Sequence, residues 1–292
     1  MMNPVLARVV ELLELERLED NLFRGQSHDI GSPQVFGGQI LGQALSAAHR
    51  TVEDRAPHSL HAYFLRPGDF DRPVVYQVET SRDGGSYSNR RVVAIQHGRP
   101  ILNLAASFKA PEDGLDHQAD MPDVPGPEGL AGLVEINASM LDKVPEKMRR
   151  FLAHEPPFEF RPVEPPKVID PSARPPRKHI WMRAWGELPD DPELHRNLLA
   201  YVSDYELLGA ATLPHELDFG RKPLMMASLD HAMWFHRDAR VDQWLLYAMD
   251  SPVSTGGRGF SRGQAFTADG TLVASTAQEG VIRVWDPAER RG

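Results

Sequence analysis

Residues 249–279 read MDSPVSTGGRGFSRGQAFTADGTLVASTAQE, and residues 78–108 read VETSRDGGSYSNRRVVAIQHGRPILNLAASF. Laid side by side without a gap, both stretches follow the order strand, turn, strand, and matched positions differ by 171, so that Gln278 corresponds to Ser107. The turn of the later stretch contains Asp269-Gly270, a pair that strongly favours a hairpin. The chain is therefore predicted to contain an internal repeat, the feature that most constrains its fold.

Two further patterns lie upstream of each hairpin. The first is an aromatic-rich strand, His61 to Arg66 in one half and His231 to Arg237 in the other, and the second is a long apolar helical pattern, at 38–48 and from 195 onward. One helix followed by hairpin-connected strands, repeated once, predicts an α+β fold with each helix packed on an antiparallel sheet. Because both helical patterns are apolar on most faces, we expect each helix to lie inside a curled sheet.

Proline usage predicts how the halves are joined. Of the 25 prolines, 15 lie between Pro111 and Pro192, where they interrupt helices and central strands. We therefore assign residues 1–110 to an N-terminal half, 111–178 to a proline-rich bridge on the surface, and 179–292 to a C-terminal half that carries most of the catalytic residues.

Composition excludes several classes of function. With no cysteine among 292 residues, the chain cannot form disulfides, thiolate metal sites or a cysteine nucleophile. A net charge of −9 disfavours nucleic acid as a ligand, although Arg90-Arg91 and Arg258 with Arg262 could contact the phosphates of a small anion. We find no signal peptide and no stretch of about 18 uncharged apolar residues, so we expect a cytoplasmic protein without a membrane span.

Short motifs rich in glycine, histidine and aromatic residues are spread over the chain from about residue 20 to residue 285. They are Phe23-Arg24-Gly25-Gln26, Val35-Phe36-Gly37-Gly38-Gln39, the stretch from His58 to Gly68, Ser203-Asp204, the stretch from Leu229 to Arg237, and the stretch from Val273 to Gly280. In content and order they resemble the acyl-CoA thioesterase II family, a group with a double-hotdog fold.

The resemblance implies an α+β double hotdog of two fused halves and hydrolysis of fatty acyl-CoA, with the thioester bound between the halves. In the family an aspartate, a hydroxyl residue and a glutamine hold the attacking water, and these roles fall here on Asp204, Ser228 and Gln278. The family often has threonine where Ser228 stands, and serine keeps the hydroxyl with a less restricted rotamer. We expect no metal ion and no cofactor.

The chemistry of the three residues agrees with these roles. Asp204 follows an apolar helix, where burial raises the pKa of a carboxyl group and hydrogen bonds from a hydroxyl and an amide favour its ionised form. Gln278 offers both a carbonyl and an NH₂, so it can orient a water and still bond a carboxylate. From the residues alone, Asp204 could equally cap a helix, Ser228 could bond backbone at a strand edge, and Gln278 could face solvent.

Other motifs suggest different chemistry, but the residues around them do not fit it. Residues 259–263 match the nucleophile-elbow pattern G-x-S-x-G, but a hairpin follows Ser261 where that motif needs a helix. The spacing of His231 and His236 matches no standard metal site, and core or supporting histidines fit better. His58 and His61 could serve a dehydratase, but the first helix offers glutamines instead of the acid that chemistry needs.

We therefore expect an enzyme that hydrolyses medium- to long-chain acyl-CoA to fatty acid and coenzyme A, with backbone N–H groups near Gly37-Gly38 stabilising the oxyanion. The alternative is a catalytically weak acyl-CoA-binding or sensing protein on the same fold. The C-terminal residues 289–292 do not form a peroxisomal address, which favours the cytoplasm. Edge-to-edge pairing of sheets makes a homo-oligomer plausible.

Overall fold

The structure, a computed structural model, describes residues 2–284 except 33, 145, 165, 167–171 and 218–223. The C-terminal residues 289–292 thus lie outside the described residues. The helices are α1 (Pro4–Leu13), α2 (Gly37–His49), α3 (Leu133–Ala138), α4 (Glu146–Leu152) and α5 (Pro192–Val202), with 3-10 helices at Leu141–Lys143 and Leu208–Thr212. The strands are β1 (Glu16–Glu19), β2 (Leu22–Gly25), β3 (Ala56–Phe64), β4 (Val74–Asp83), β5 (Tyr87–Gln96), β6 (Arg99–Lys109), β7 (Phe158–Pro162), β8 (Arg177–Ala184), β9 (Leu224–Ser228), β10 (Asp230–Phe235), β11 (Leu245–Thr255), β12 (Arg258–Thr267) and β13 (Leu272–Val284).

The strands form two mirrored sets that join in one sheet. Its order is β1-β2-β4-β5-β6-β3-β10-β13-β12-β11-β8-β7, with β9 paired to β13, and every ladder among the described strands is antiparallel. The halves meet where β3 pairs with β10. This arrangement confirms the predicted α+β fold with a repeated antiparallel unit. Among the described residues no helix is long and apolar enough to cross a membrane.

The two long helices pack against each other in the interior. All residues of α2 from Gly38 to Ala48 are buried, as are most of α5. The helices approach closely because α2 presents glycines to α5: a Cβ at Gly38 would lie 2.1 Å from the Tyr201 carbonyl oxygen, and one at Gly42 would lie 3.0 Å from that of Asn197. α5 begins as the sequence predicts, since the Asp191 side chain accepts hydrogen bonds from the N–H groups of Glu193 and Leu194.

The ladder registers confirm the repeat and correct one detail of it. Glu79 pairs with Arg91 and Asp250 pairs with Arg262, which keeps the predicted offset of 171. In the next ladder, however, Arg90 pairs with Ala106 whereas Ser261 pairs with Gln278. Gln278 therefore corresponds to Ala106, and the expectation that it occupies the place of Ser107 was wrong.

The physical reason is a difference in turn length. The first hairpin closes at Gln96 and Arg99, whereas the second closes at Thr267 and Thr271 and so contains one more turn residue. A gapless alignment passes over this residue and reverses which face the last strand presents. By the same register, His231 corresponds to Leu60, a buried residue, and not to the exposed His61.

The bridge adds more than surface loops. Strand β7 lies within residues 111–178 and pairs with β8, so this segment extends the sheet of the second half. Helix α3 of the same segment contacts β7, and both α3 and α4 supply residues to the cavity described below. The limits of the two halves and of the bridge remain predictions.

Candidate active site

The three residues singled out by the sequence come together around one carboxylate. Asp204 follows the C-terminus of α5, Ser228 ends β9 and Gln278 lies in the middle of β13. The Gln278 side-chain nitrogen Nε2 donates to Asp204 Oδ1 over 2.6 Å, and Ser228 Oγ donates to the same oxygen over 3.4 Å. Both bonds end on Oδ1, so the other carboxylate oxygen, Oδ2, can accept from a further hydrogen-bond donor.

The first half supplies the surroundings of Asp204. Its second carboxylate oxygen lies at the start of α2, so close that a Cβ at Gly37 would lie 2.6 Å from Oδ2. A helix N-terminus carries partial positive charge and free N–H groups, which stabilise an anion. The site is therefore built from the end of a helix in one half and the start of a helix in the other.

Burial and hydrogen bonding act on Asp204 in opposite directions. Burial raises the pKa of its carboxyl group above the ordinary 3.8, whereas hydrogen bonds from Gln278, the Gly38 N–H and Ser228 lower it. Burial dominates, so the carboxylate binds a proton more readily than a surface aspartate does. A base of this kind can accept a proton from water and release it later in the same cycle.

The Gly38 N–H, one of the groups expected to stabilise the oxyanion, also acts on Asp204. Its hydrogen bond lowers the pKa of the Asp204 carboxyl group and so favours the ionised form. The source of oxyanion stabilisation stays a prediction.

A buried histidine contacts the Gln278 side chain. His231 is 1% exposed, and its Nδ1 atom lies 3.3 Å from Gln278 Nε2. Its Nε2 atom lies 2.9 Å from the hydroxyl of Ser203, which in turn donates to the carbonyl of Ala200. Burial lowers the pKa of His231 to about 3, so its ring is neutral at physiological pH.

His231 was predicted only as a core or supporting histidine, without a connection to Gln278. The available signals were its position three residues after Ser228, within the motif that begins at Leu229, and the adjacency of Ser203 to Asp204.

A cavity of about 680 Å³ lies beside the site. Its walls are mostly apolar and include, from the bridge, Leu133, Leu152 and Phe160, together with Leu213 and Met226. Tyr205, next to Asp204, also lines it. Met226 and Ser228 lie two residues apart on β9, so their side chains share a face at a separation of about 7 Å. This role of the bridge was not predicted, because prolines indicate loops without indicating which residues those loops contact.

The rejected motifs remain rejected on structural grounds. Ser261 lies inside strand β12, where it pairs with Gln278 of β13, and the next element is a strand and not a helix. His231 contacts Ser203 and Gln278, whereas the exposed His236 contacts Ser275, so the two rings do not share a site. No group of three or more potential metal ligands occurs among the described residues.

The arginine clusters proposed for phosphate contact are engaged within the protein. Arg91 pairs with Glu79, Arg258 with Glu279 and Arg262 with Asp250. Arg90 is buried and bonded to Asp83. Each of these cations therefore already has a carboxylate partner.

Comparison with known proteins identifies relatives of the whole chain. Family models described as "Acyl-CoA thioesterase" and "Acyl-CoA thioesterase N-terminal domain" match residues 155–281 and 24–109. Acyl-CoA thioesterase 2 of Haemophilus influenzae is 42% identical over 97% of this chain and 99% of its own length. Human acyl-coenzyme A thioesterase 8 is 43% identical over 94% of this chain and 89% of its own. The crystal structure of an acyl-CoA thioesterase II from Mycobacterium marinum, 40% identical, covers 98% of this chain and 100% of its own with a TM-score of 0.78.

Proposed function

The chain belongs to the acyl-CoA thioesterase family and hydrolyses acyl-CoA, and from this premise we propose that Asp204, Ser228 and Gln278 hold and activate the attacking water. The observation that carries the proposal is the convergence of Ser228 and Gln278 on one oxygen of a half-buried carboxylate. This leaves Asp204 Oδ2 to take the proton from water, next to Gly37 at the start of α2.

The reaction then runs without a covalent enzyme intermediate. The water oxygen forms a bond to the thioester carbonyl carbon while one of its protons passes to Asp204. The tetrahedral intermediate collapses with cleavage of the carbon–sulfur bond, and coenzyme A leaves as thiolate. The proton held by Asp204 passes to that thiolate, which regenerates the carboxylate and yields fatty acid and free thiol.

Replacement of Asp204 by asparagine tests this assignment. The amide side chain keeps the shape and can still bond Ser228 and Gln278, but it is not a base, so kcat should fall roughly 10²–10⁴-fold with little change in acyl-CoA binding. Thiol release from decanoyl- or palmitoyl-CoA measures the rate, and the protein adds no background because it has no cysteine.

Asp250→Asn is the matched control, since Asp250 pairs with Arg262 outside the site, and its kcat should equal that of the wild type. Near wild-type turnover of Asp204→Asn, or an acyl group trapped on any side chain, would contradict the water mechanism.

We propose further that the cavity beside the site holds the acyl chain and sets a preference for medium to long chains. Its apolar walls and its volume are typical of sites that bury small apolar ligands. Gly209 lines this cavity, and a Cβ added there would make ordinary contacts of 3.6 Å with the side chains of Glu206 and Lys178.

Gly209→Leu should therefore lower kcat/KM for palmitoyl-CoA more than for a short acyl-CoA. Gly85→Leu is the matched control, because a Cβ at Gly85 meets nothing within 4 Å and the turn lies outside the cavity. An equal loss for all chain lengths would place the acyl chain elsewhere.

Finally, we propose that copies of the chain associate. Tyr63 and Trp234, on the two strands where the halves meet, are 62% and 37% exposed, and exposed aromatic groups are common at protein interfaces. Light scattering of the purified protein measures the mass, and a monomer at all concentrations would end this proposal. The cytoplasmic location expected from the sequence stays a prediction.

A further inference from the structure

His231 and Gln278 form a buried polar pair in the core of the second half. Their side chains are 1% and 0% exposed, and His231 Nδ1 lies 3.3 Å from Gln278 Nε2. Two polar side chains in such a place are costly unless their hydrogen bonds are satisfied. A pair of this kind calls for a reason beyond packing.

The first half shows that the fold does not need this pair. At the corresponding positions, Leu60 and Ala106 are opposite each other in the β3–β6 ladder, and both are fully buried. The same strands thus pack with two apolar residues in the half that lacks the catalytic side chains. The polar pair occurs in the half that carries Asp204 and Gln278.

The hydrogen bonds run in one direction. The Ser203 hydroxyl donates its only proton to the Ala200 carbonyl, so it can only accept from His231 Nε2–H. The neutral ring therefore carries its proton on Nε2, which leaves Nδ1 as an acceptor for Gln278 Nε2. Both N–H bonds of the Gln278 amide are then used, one toward His231 and one toward Asp204.

This order fixes the orientation of the amide. A carboxylate oxygen accepts hydrogen bonds only, so Asp204 alone already favours the nitrogen facing it. His231 Nδ1 provides a second acceptor on the same side. The oxygen Gln278 Oε1 is left buried and without a hydrogen-bond partner among the described residues.

We propose that His231 is a positioning residue for hydrolysis, which locks the Gln278 amide so that Oε1 accepts a hydrogen bond from the second O–H of the attacking water. The inference rests on the proposed water mechanism. His231 itself contacts neither water nor substrate in this scheme, and it acts entirely through Gln278. Ser203, directly before Asp204 in the chain, is the anchor that sets the tautomer of the ring.

Two substitutions separate the functions of the ring nitrogens. Asparagine places an amide oxygen near the position of Nδ1 and can still accept from Gln278, whereas glutamine reaches the position of Nε2 and keeps only the contact with Ser203. His231→Gln should lower kcat about 10- to 100-fold with KM changed less than about twofold, and His231→Asn should restore part of the rate. His236→Gln, a histidine exposed beyond the site, should match the wild type.

A double-mutant cycle distinguishes positioning from packing. In a Gln278→Ala background the amide is absent, so adding His231→Gln should change kcat by less than about twofold. Loss of the same large factor in both backgrounds would overturn the inference, because His231 would then act independently of Gln278. Wild-type kcat in Gln278→Ala alone would instead overturn the water mechanism and the inference with it.

The tautomer can be measured without any substitution. In ¹⁵N-labelled wild-type protein, the His231 ring nitrogens should report a neutral ring protonated on Nε2 throughout the pH range of activity. A ring protonated on Nδ1 would overturn the inference even if the variants fail to fold. Ser203→Ala removes the hydroxyl that accepts from His231 Nε2 and leaves His231 in place. It should lower kcat, as His231→Gln does.

Discussion

The two halves of the chain share a ladder register and differ in which core positions are polar. The pair Glu79 with Arg91 recurs as Asp250 with Arg262, in the same ladder and with the same ion pair. At other equivalent positions the first half has an apolar residue and the second half has a polar one. Ala106 and Gln278 are such a pair. The surface pairs belong to the shared scaffold, and the core differences lie at the residues to which we assign the chemistry.

The first half contributes in a different manner. It supplies the start of α2, where the absence of side chains at Gly37 and Gly38 lets Asp204 and α5 approach. The second half thus provides the polar side chains of the candidate site, and the first half provides the backbone at the start of α2. A site of this kind requires two unequal halves, which explains why the repeat is so poorly preserved at these positions.

The largest effect should come from making the second half resemble the first. Gln278→Ala gives the second half the alanine found at position 106, so kcat should fall roughly 10²–10³-fold as a positioned polar group is lost. Tm should also fall, because the buried His231 Nδ1 loses its hydrogen-bond donor. Gln264→Ala is the matched control, since Gln264 lies on the opposite face of β12 from Ser261. Wild-type kcat in Gln278→Ala would mean that the amide takes no part in the reaction.

Gly37→Ala tests the contribution of the first half. A Cβ there would lie 2.6 Å from Asp204 Oδ2 and 3.0 Å from Phe64, so the carboxylate must move. Displacement of a catalytic group by about 1 Å can cost 10²-fold in rate, and we expect a loss of that order in kcat. Gly85→Ala, with open space around its Cβ, controls for removing a glycine. Unchanged kcat in Gly37→Ala would mean that α2 does not position the base.

The pH dependence of kcat should shift when Gln278 or Ser228 is replaced by alanine. The proposed mechanism requires ionised Asp204, so the rate should fall as the pH drops through its pKa, which burial holds above 3.8. Hydrogen bonds from Gln278 and Ser228 lower that pKa, and removing either one raises it. The acid limb of the kcat profile should therefore move to higher pH in Gln278→Ala and in Ser228→Ala. A shift toward lower pH would assign the limb to another group.

The sequence predicts most of this comparison and fails where long-range geometry decides. Asp204, Ser228 and Gln278 converge as expected, because family motifs and hydrogen-bonding chemistry both select them. The one-residue difference between the hairpin turns escapes a gapless alignment, and it hid the correspondence of His231 with Leu60. The cavity walls of the bridge could not be predicted, because contacts between Phe160 and Tyr205 depend on how the bridge returns to the sheet.

Ala106→Gln examines the comparison from the opposite side. The substitution places an amide in the first half without the histidine and carboxylate that satisfy Gln278. A buried polar group with unmet hydrogen bonds costs about 1–3 kcal/mol, so the free energy of unfolding should fall by that amount while hydrolysis persists. Ala105→Gln, on the exposed face of β6, is the control and should leave stability unchanged. Unaltered stability in Ala106→Gln would mean that polar residues at this position carry no functional signal.

The smallest effect should come from Ser261→Ala. Ser261 is fully buried, lies opposite Gln278 in the ladder, and has no hydrogen-bond partner for its Oγ among the described residues. Its counterpart in the first half is Arg90, which bonds Asp83, so the position serves different structural purposes in the two halves. Because an unpaired buried hydroxyl contributes little, kcat should change less than about twofold and Tm should stay equal or rise slightly. A loss of more than tenfold would show that Ser261 takes part after all, and mass spectrometry of the protein during turnover would then decide its role. An acyl group on Ser261 would identify it as a nucleophile, whereas unmodified protein would show that it acts without a covalent intermediate.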